Sequence, residues 1–188
     1  MGKLIYLMNV SLDGFIESSD HSLDWTRVDD ELHGWFNDHM RDVAASFYGR
    51  RLYEVMAAYW PTADSDPEAT ETTLEFGRLW RATPRIVFSR TLDSVDHNSR
   101  LATGDVEDEL TRARQEFDGD IEVGGANLAA QFIRRGLVDE FGLVIHPVVI
   151  GAGTPFFPET ESPIPLRQIA TQRFASGVVY VGYETARS

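Results

Sequence analysis

IEVGGANLAAQFIRRGLVDEF, residues Ile121 to Phe141, decides the fold. DIEV, ending at Val123, reads as a short strand, and two glycines then interrupt the chain. From Ala126 to Arg135 the apolar residues Leu128, Ala129, Phe132 and Ile133 recur on one face, the period of a helix. Arg134 and Arg135 complement the negative end of that helix, and Gly136 supplies a left-handed stop. EFGLVIHPVVIG then reads as the next strand, with a break near Pro147. Glycine weakens either element it sits in, so the pair Gly124-Gly125 implies that the backbone itself is wanted bare.

The same alternation extends outward in both directions. Lys3 to Val10 reads as a buried strand, and SLDGFIES as a tight turn leading into extended chain. Val28, Leu32, Trp35, Phe36, Met40, Val43 and Ala44 keep helical spacing, with Asp29, Asp30 and Glu31 in the first turn. SFYGRRLYEVM reads as a strand, a glycine and a helix over about 50–58, and WPTADSDPEATE as an acidic surface loop. A helix over about 69–80 ends before Pro84. RIVFSRT is a strand and VEDELTRARQEF a helix. RQIATQRFASGVVYVGYE reads as two strands around Ser176-Gly177. The pattern predicts an α/β fold: a mostly parallel central sheet flanked by helices, with an antiparallel C-terminal edge hairpin. No repeat or linker divides residues 1–188, which are expected to form a single domain.

Composition excludes several classes of function. There is no cysteine, which removes disulfides, thiolate metal sites and cysteine nucleophiles. A net charge of −13 argues against nucleic acid as a partner, because phosphate backbones need concentrated positive charge. The apolar run at the N-terminus is too short to span a bilayer and lacks a signal-peptide pattern, so a cytoplasmic protein without a membrane partner is expected.

In a sheet of this kind, ligands bind beyond the carboxyl ends of the strands, where loops lead into helices. Three such corners suit phosphate. At YGRRLYE, Gly49 permits the turn and Arg50 and Arg51 stand at a helix start. At FSRT, the Ser89 hydroxyl and the Arg90 guanidinium can meet phosphate oxygens. At VGGAN, the glycines allow a pyrophosphate to approach the helix that begins at Ala126. Each corner also has a plain structural reading: solvated arginines, a strand-ending serine, a simple turn. Neither GxGxxG nor a P-loop occurs, so the residues alone say only nucleotide.

With these corners and MNVSLDGFI in the first strand, the chain resembles the dihydrofolate reductase-like superfamily. Within it, the chain is similar to the reductase domain at the C-terminus of bifunctional riboflavin-biosynthesis deaminase/reductases, as a stand-alone protein. The resemblance runs from Leu4 to Phe157, and it implies NADPH as cofactor. By position, Gly49, Arg50, Arg51 and Leu52 would meet the adenosine ribose and its 2′-phosphate, with Ser89 and Arg90 on the other side of that phosphate. Gly124, Gly125, Ala126, Asn127 and Leu128 would form the pyrophosphate corner. Asn9, Val10 and Ile16 would flank the nicotinamide. Related domains pair through sheet-edge segments, implying a homodimer through the strands around Val144 to Val149. One departure stands out: the family's glutamate before the two glycines is Val123 here. Glu122 lies one place earlier, on the opposite face of a strand.

The implied activity is NADPH-dependent hydride transfer to a small heterocyclic substrate, related to the 5-amino-6-(5-phosphoribosylamino)uracil reductase of riboflavin biosynthesis. A dihydrofolate reductase, or a non-catalytic nucleotide-binding or dimerisation module of the same fold, are the alternatives. Hydride transfer needs orientation and a proton path rather than a nucleophile. Asp13, beyond the first strand, and then Glu31 are the candidate carboxyls. Their structural readings are a tight Asp-Gly turn and a helix-start acid. Trp25 could wall an aromatic substrate, whereas Trp35 fits the core stripe of its helix. His33 and His39 do not share a helical face, so no metal site is expected there, and His146 lies in a buried-looking strand.

Overall fold

The computed structural model describes residues 2–186. In chain order the strands are β1 (Leu4–Ser11), β2 (Phe15–Ser18), β3 (Val43–Gly49), β4 (Arg85–Phe88), β5 (Ser99–Leu101), β6 (Asp120–Gly124), β7 (Glu140–His146), β8 (Gly153–Pro155), β9 (Leu166–Arg173) and β10 (Val179–Thr185). The helices are α1 (Asp30–Asp42), α2 (Arg50–Tyr59), α3 (Glu71–Ala82), α4 (Val106–Glu116) and α5 (Ala126–Arg134).

Eight strands form one sheet in the order β5-β4-β3-β6-β1-β7-β10-β9. The run from β5 to β7 is parallel, and β10 and β9 add antiparallel at one side. The expected α/β architecture is the one observed. β1 lies between β6 and β7, so the β6-α5-β7 unit crosses over it, and the shared parallel direction puts the carboxyl ends of β1, β3, β4 and β6 on one rim. A separate antiparallel pair, β2 with β8, stands beside that rim.

Side-chain alternation assigns the two faces. Leu4, Tyr6 and Val10 of β1 pack with Ile121, Val123, Leu128 and Phe132 on the α4/α5 side. Leu7 of the same strand packs with Leu32, Val144 and Trp35 on the α1 side. Val123 is therefore fully buried core, while Glu122 turns the other way and meets His39 at 2.6 Å. Both faces of the parallel strands are covered, as parallel sheets require.

The structure departs from the sequence reading at several points, the first being that Val43 and Ala44 open β3 rather than continue α1. The acidic segment after α2 is not wholly loop: Trp60–Ser65 form a 3-10 turn, which packs on α3. β5 and β8 have three residues each, too short for any period to register. β5 depends on Arg85, whose buried guanidinium donates to the carbonyls of Trp80, Thr83 and His97 and lies 3.8 Å from the Trp80 ring centre. Finally, Val144 cannot carry a dimer edge. β7 is hydrogen-bonded on both sides, to β1 and β10, and Val144 has no exposed surface. The open edge on that side is β9, exposed along nearly its whole length.

Candidate functional site

The rim of the sheet holds a cleft of about 970 Å³. Eleven of the residues expected to meet the cofactor line it: Ile16, Gly49, Arg50, Arg51, Leu52, Ser89, Arg90, Gly125, Ala126, Asn127 and Leu128. The three corners, far apart in sequence, are thus one surface.

The two glycines of the opening stretch turn out to have different reasons. A side chain at Gly124 would collide with Leu52, and Tyr48 stands 3.5 Å away on the same side. Gly124 is bare so that the first turn of α2 can pack on the end of β6. Gly125 has φ +93°, a conformation side chains rarely adopt, and faces open space apart from Leu52 at 3.9 Å. Leu128 in turn lies 3.7 Å from where a Cβ on Gly49 would fall. The two corners interlock, each closing on the other's glycine.

Both α2 and α5 begin at these glycines with no side chain capping their first turn. Their leading N–H groups have no partner within the helix and carry the positive end of its dipole. Arg50 reaches Glu54 at 2.8 Å and Thr91 at 2.7 Å. Arg51 pairs with Glu17 across the cleft. Arg90 is exposed and forms no ion pair with any described residue. The Ser89 hydroxyl accepts from the backbone of Thr91 and Leu92, which shapes the loop and leaves its hydrogen free to donate.

Glu17 is the cleft residue that the sequence did not announce. It is 8% exposed and held by Arg51, by Thr154 at 2.5 Å and by His21 at 3.1 Å, all on the cleft wall. His21 has φ +68°, secured by a 2.8 Å hydrogen bond from its N–H to the Ser18 carbonyl. The β5–α4 corner, Gly104 to Val106, is a fourth contributor that the sequence reading missed.

Other expected residues lie elsewhere. Gly124 and Val10 are buried behind the cleft, and Asn9 turns to the opposite face of β1. Asp13 is not in the cleft lining: its carboxylate accepts from the N–H groups of Ile150 at 3.2 Å and Gly151 at 2.8 Å. The Ser11 hydroxyl and then these amides hold it below the usual carboxylate range. Glu31 accepts from the Ala175 N–H at 2.9 Å, tying α1 to the β9–β10 turn. Trp25 stands edge-on to His146, with ring centres 5.6 Å apart. His33 packs against Trp60 and Phe76, away from His39.

A family model, the RibD C-terminal domain, matches residues 2–180. The chain belongs to the RibD C-terminal domain family. Among its relatives, the Bacillus subtilis (strain 168) protein named "Uncharacterized protein YyaP" is 35% identical over 182 residues, covering 96% of this chain and 94% of its own. A candidate riboflavin biosynthesis protein from Shewanella sp. PV-4 has a similar fold, with TM-score 0.77 at 20% identity over the whole of both chains. Dihydrofolate reductase from Enterococcus faecalis, solved with NADP(H), matches with TM-score 0.67 at 16% identity, covering 99% of this chain and 98% of its own. The fold of this RibD C-terminal domain protein is therefore dihydrofolate reductase-like. Among the described residues, no helix is long and apolar enough to cross a membrane.

Proposed function

We propose that this RibD C-terminal domain protein is an NADPH-dependent reductase of a small heterocyclic substrate. The carrying observation is that three arginines and two uncapped helix starts converge on one cleft in an otherwise acidic chain. That donor set fits a phosphorylated dinucleotide. Guanidinium groups suit a terminal phosphate, and bare N–H groups suit a pyrophosphate that must pass close to the backbone. Gly125 keeps that approach open. In this reading Arg50, Arg90 and Ser89 hold the 2′-phosphate, and the Ala126–Leu128 turn holds the pyrophosphate.

NADPH, when bound, supplies the hydride. The chain supplies orientation and the exclusion of water. Ile16, Met8 and Leu23 give the cleft an apolar section beyond the arginines, suited to a ring rather than a phosphate. Asp13 is charged near neutral pH and engaged by two amides, so its role is to fasten the turn after β1 to the loop before β8. Glu31 is likewise a tether. The proton is drawn from water or from a cleft residue such as His21, whose ring nitrogen is hydrogen-bonded to Glu17. A second reading rests on Val123: with that position buried in the core, a module that binds nucleotide without turnover keeps the same cleft.

Calorimetric titration with NADPH, NADP⁺ and NADH tests the main reading. NADPH should bind at least about tenfold tighter than NADH, roughly 1.4 kcal/mol, and the preference should shrink with added salt. Equal affinities would remove the phosphate assignment, and no binding of any dinucleotide would remove the reductase. Turnover of dihydrofolate would make the protein a folate reductase. We also place homodimer formation at β9, whose unpaired backbone groups invite a second copy. Light scattering that gave a monomer at tens of micromolar, an estimated range for a stable interface, would end that assignment.

A further inference from the structure

Met8 and Asn9 sit side by side near the end of β1, and the pleat sends them to opposite faces. Met8 lines the dinucleotide cleft. Asn9 instead meets His146 of β7, beside the segment that leads into α1.

His146 has no exposed surface. Its Nδ1 lies 3.1 Å from the backbone nitrogen of Arg27, a group that can only donate. Nδ1 is therefore the acceptor, and the neutral ring carries its hydrogen on Nε2. Burial pushes the His146 pKa down, which keeps the ring in that neutral form. Nε2 lies 2.8 Å from Asn9 Oδ1. The amide cannot be turned round, because its NH₂ would then face an N–H. Asn9 must point both amide hydrogens away from His146, and no described residue accepts them. Against the edge of the same imidazole stands Trp25, whose buried indole N–H also lacks an acceptor. Two kinds of donor and no acceptor flank one uncharged ring. The indole N–H is a buried donor, costly to leave unmet, and the half-buried Asn9 amide beside it has no acceptor among the described residues, so the niche calls for an oxygen from outside the chain.

We propose that the Asn9 amide donates to an oxo group of the molecule being reduced, and that His146 is the positioning residue that holds the amide in the donating orientation. This rests on the reductase reading above. It assigns the acceptor to the substrate rather than to the dinucleotide, because Asn9 faces away from the cleft wall formed by Met8. A ring amino group at the same place would set donor against donor.

Lumazine carries oxo groups at the two positions where 2,4-diaminopteridine carries amino groups, so the pair probes this directly. Each is titrated into the full chain with saturating NADP⁺, and NADPH affinity is measured on the same samples. The wild type should bind lumazine at least about tenfold tighter than the diamino compound. Asn9→Asp, equal in size but with only acceptor oxygens, should erase or invert that preference. Asn9→Ser, expected to erase it, serves if the carboxylate prevents folding. His146→Leu removes the orienting N–H and should reduce the preference to within about threefold. His146→Gln, whose amide can still donate to Asn9 Oδ1, should restore it, which a role in packing alone would not require. NADPH affinity should stay within about twofold in every variant.

A parallel loss of NADPH affinity in Asn9→Asp would assign the amide to the dinucleotide and overturn the proposal. So would a wild-type chain that bound the two pteridines equally, or bound neither. A chain that discriminates between the pteridines yet never binds NADPH would keep the donor niche and remove the reductase.

Discussion

The five α-helices of this protein begin in two ways. Asp29, Thr70 and Asp105 cap α1, α3 and α4, accepting from first-turn N–H groups at 2.9 to 3.3 Å. Helices α2 and α5 begin at Gly49 and Gly125, with no side chain in that place. A cap is worth about 1 kcal/mol, so an uncapped start forgoes stability that a single serine or aspartate could have added. Both uncapped starts open on the cleft. Helix α4 opens there too, but Asp105 already occupies its N-terminus with a carboxylate. An anion entering the cleft is therefore directed to α2 and α5 and away from α4. One set of helix starts satisfies itself; the other is left open to the cleft, where the proposed dinucleotide would meet it.

The largest test of that contrast is Gly125→Val. A β-branched side chain at φ +93° is strained wherever it points, at a cost on the order of 1–3 kcal/mol, and it would stand in the approach to the α5 N-terminus. NADPH affinity should fall by about a hundredfold or more, roughly 2.7 kcal/mol. Leu128→Ala is the comparison. It removes buried packing and should lower the melting temperature while leaving the corner open. If Gly125→Val binds NADPH normally once folded, the glycine is only a turn.

Next in size are the arginines, which differ in how they are held. Arg90→Ala should weaken NADPH by about tenfold, leave NADH unchanged and leave stability unchanged, because Arg90 supports no described residue. Arg51→Ala should lower stability as well, since it strips the guanidinium from Glu17, a carboxylate only 8% exposed. Calorimetry and thermal melts on the two variants separate a phosphate reader from a clamp. Equal effects on both measurements would remove the distinction.

The unequal legibility of these features has physical causes. The β6-α5-β7 unit, the helix starting at Arg50 and the last hairpin were readable because each carries a local period or a local stop. The sheet order was not, since periodicity says which residues are buried and not which strand lies alongside. Val144 therefore looked available for an edge until β10 proved to lie against it. Glu17 was invisible for a related reason. A charged residue in extended chain reads as exposed, and its burial depends on Arg51, 34 residues away. Asp13 and Glu31 do lie near the ends of their elements. Backbone amides from Ile150, Gly151 and Ala175 then claimed them, partners that no nearby sequence reveals.

The self-satisfied class predicts a smaller, purely thermodynamic effect. Thr70→Ala removes the 3.3 Å cap of α3 and should cost about 1 kcal/mol of stability. NADPH affinity should not move, because α3 takes no part in the cleft. A change in affinity would show that capping and binding are not separate in this molecule.

The smallest effect concerns Glu122, one place before the Val123 that precedes the glycine pair. Glu122 turns to the α1 side of the sheet and meets His39, which also stacks on Trp35. Burial alone would push the His39 pKa down, but the hydrogen bond and charge of Glu122 outweigh it and raise the value above the ordinary 6.5. A base whose pKa is raised by folding binds its proton more tightly in the native state. Its contribution is complete below 6.5 and is lost as pH rises through the raised value. Wild-type stability should therefore decline over that window relative to His39→Gln, by a few tenths to about 1 kcal/mol. Denaturant melts of both proteins at matched pH give the difference, and NMR titration of the His39 ring gives the pKa itself. NADPH affinity should not follow the same curve, because the pair lies on the face of β6 turned from α5. If it does follow, protonation on the α1 side is felt at the glycine corner, and the two sides of that strand are coupled.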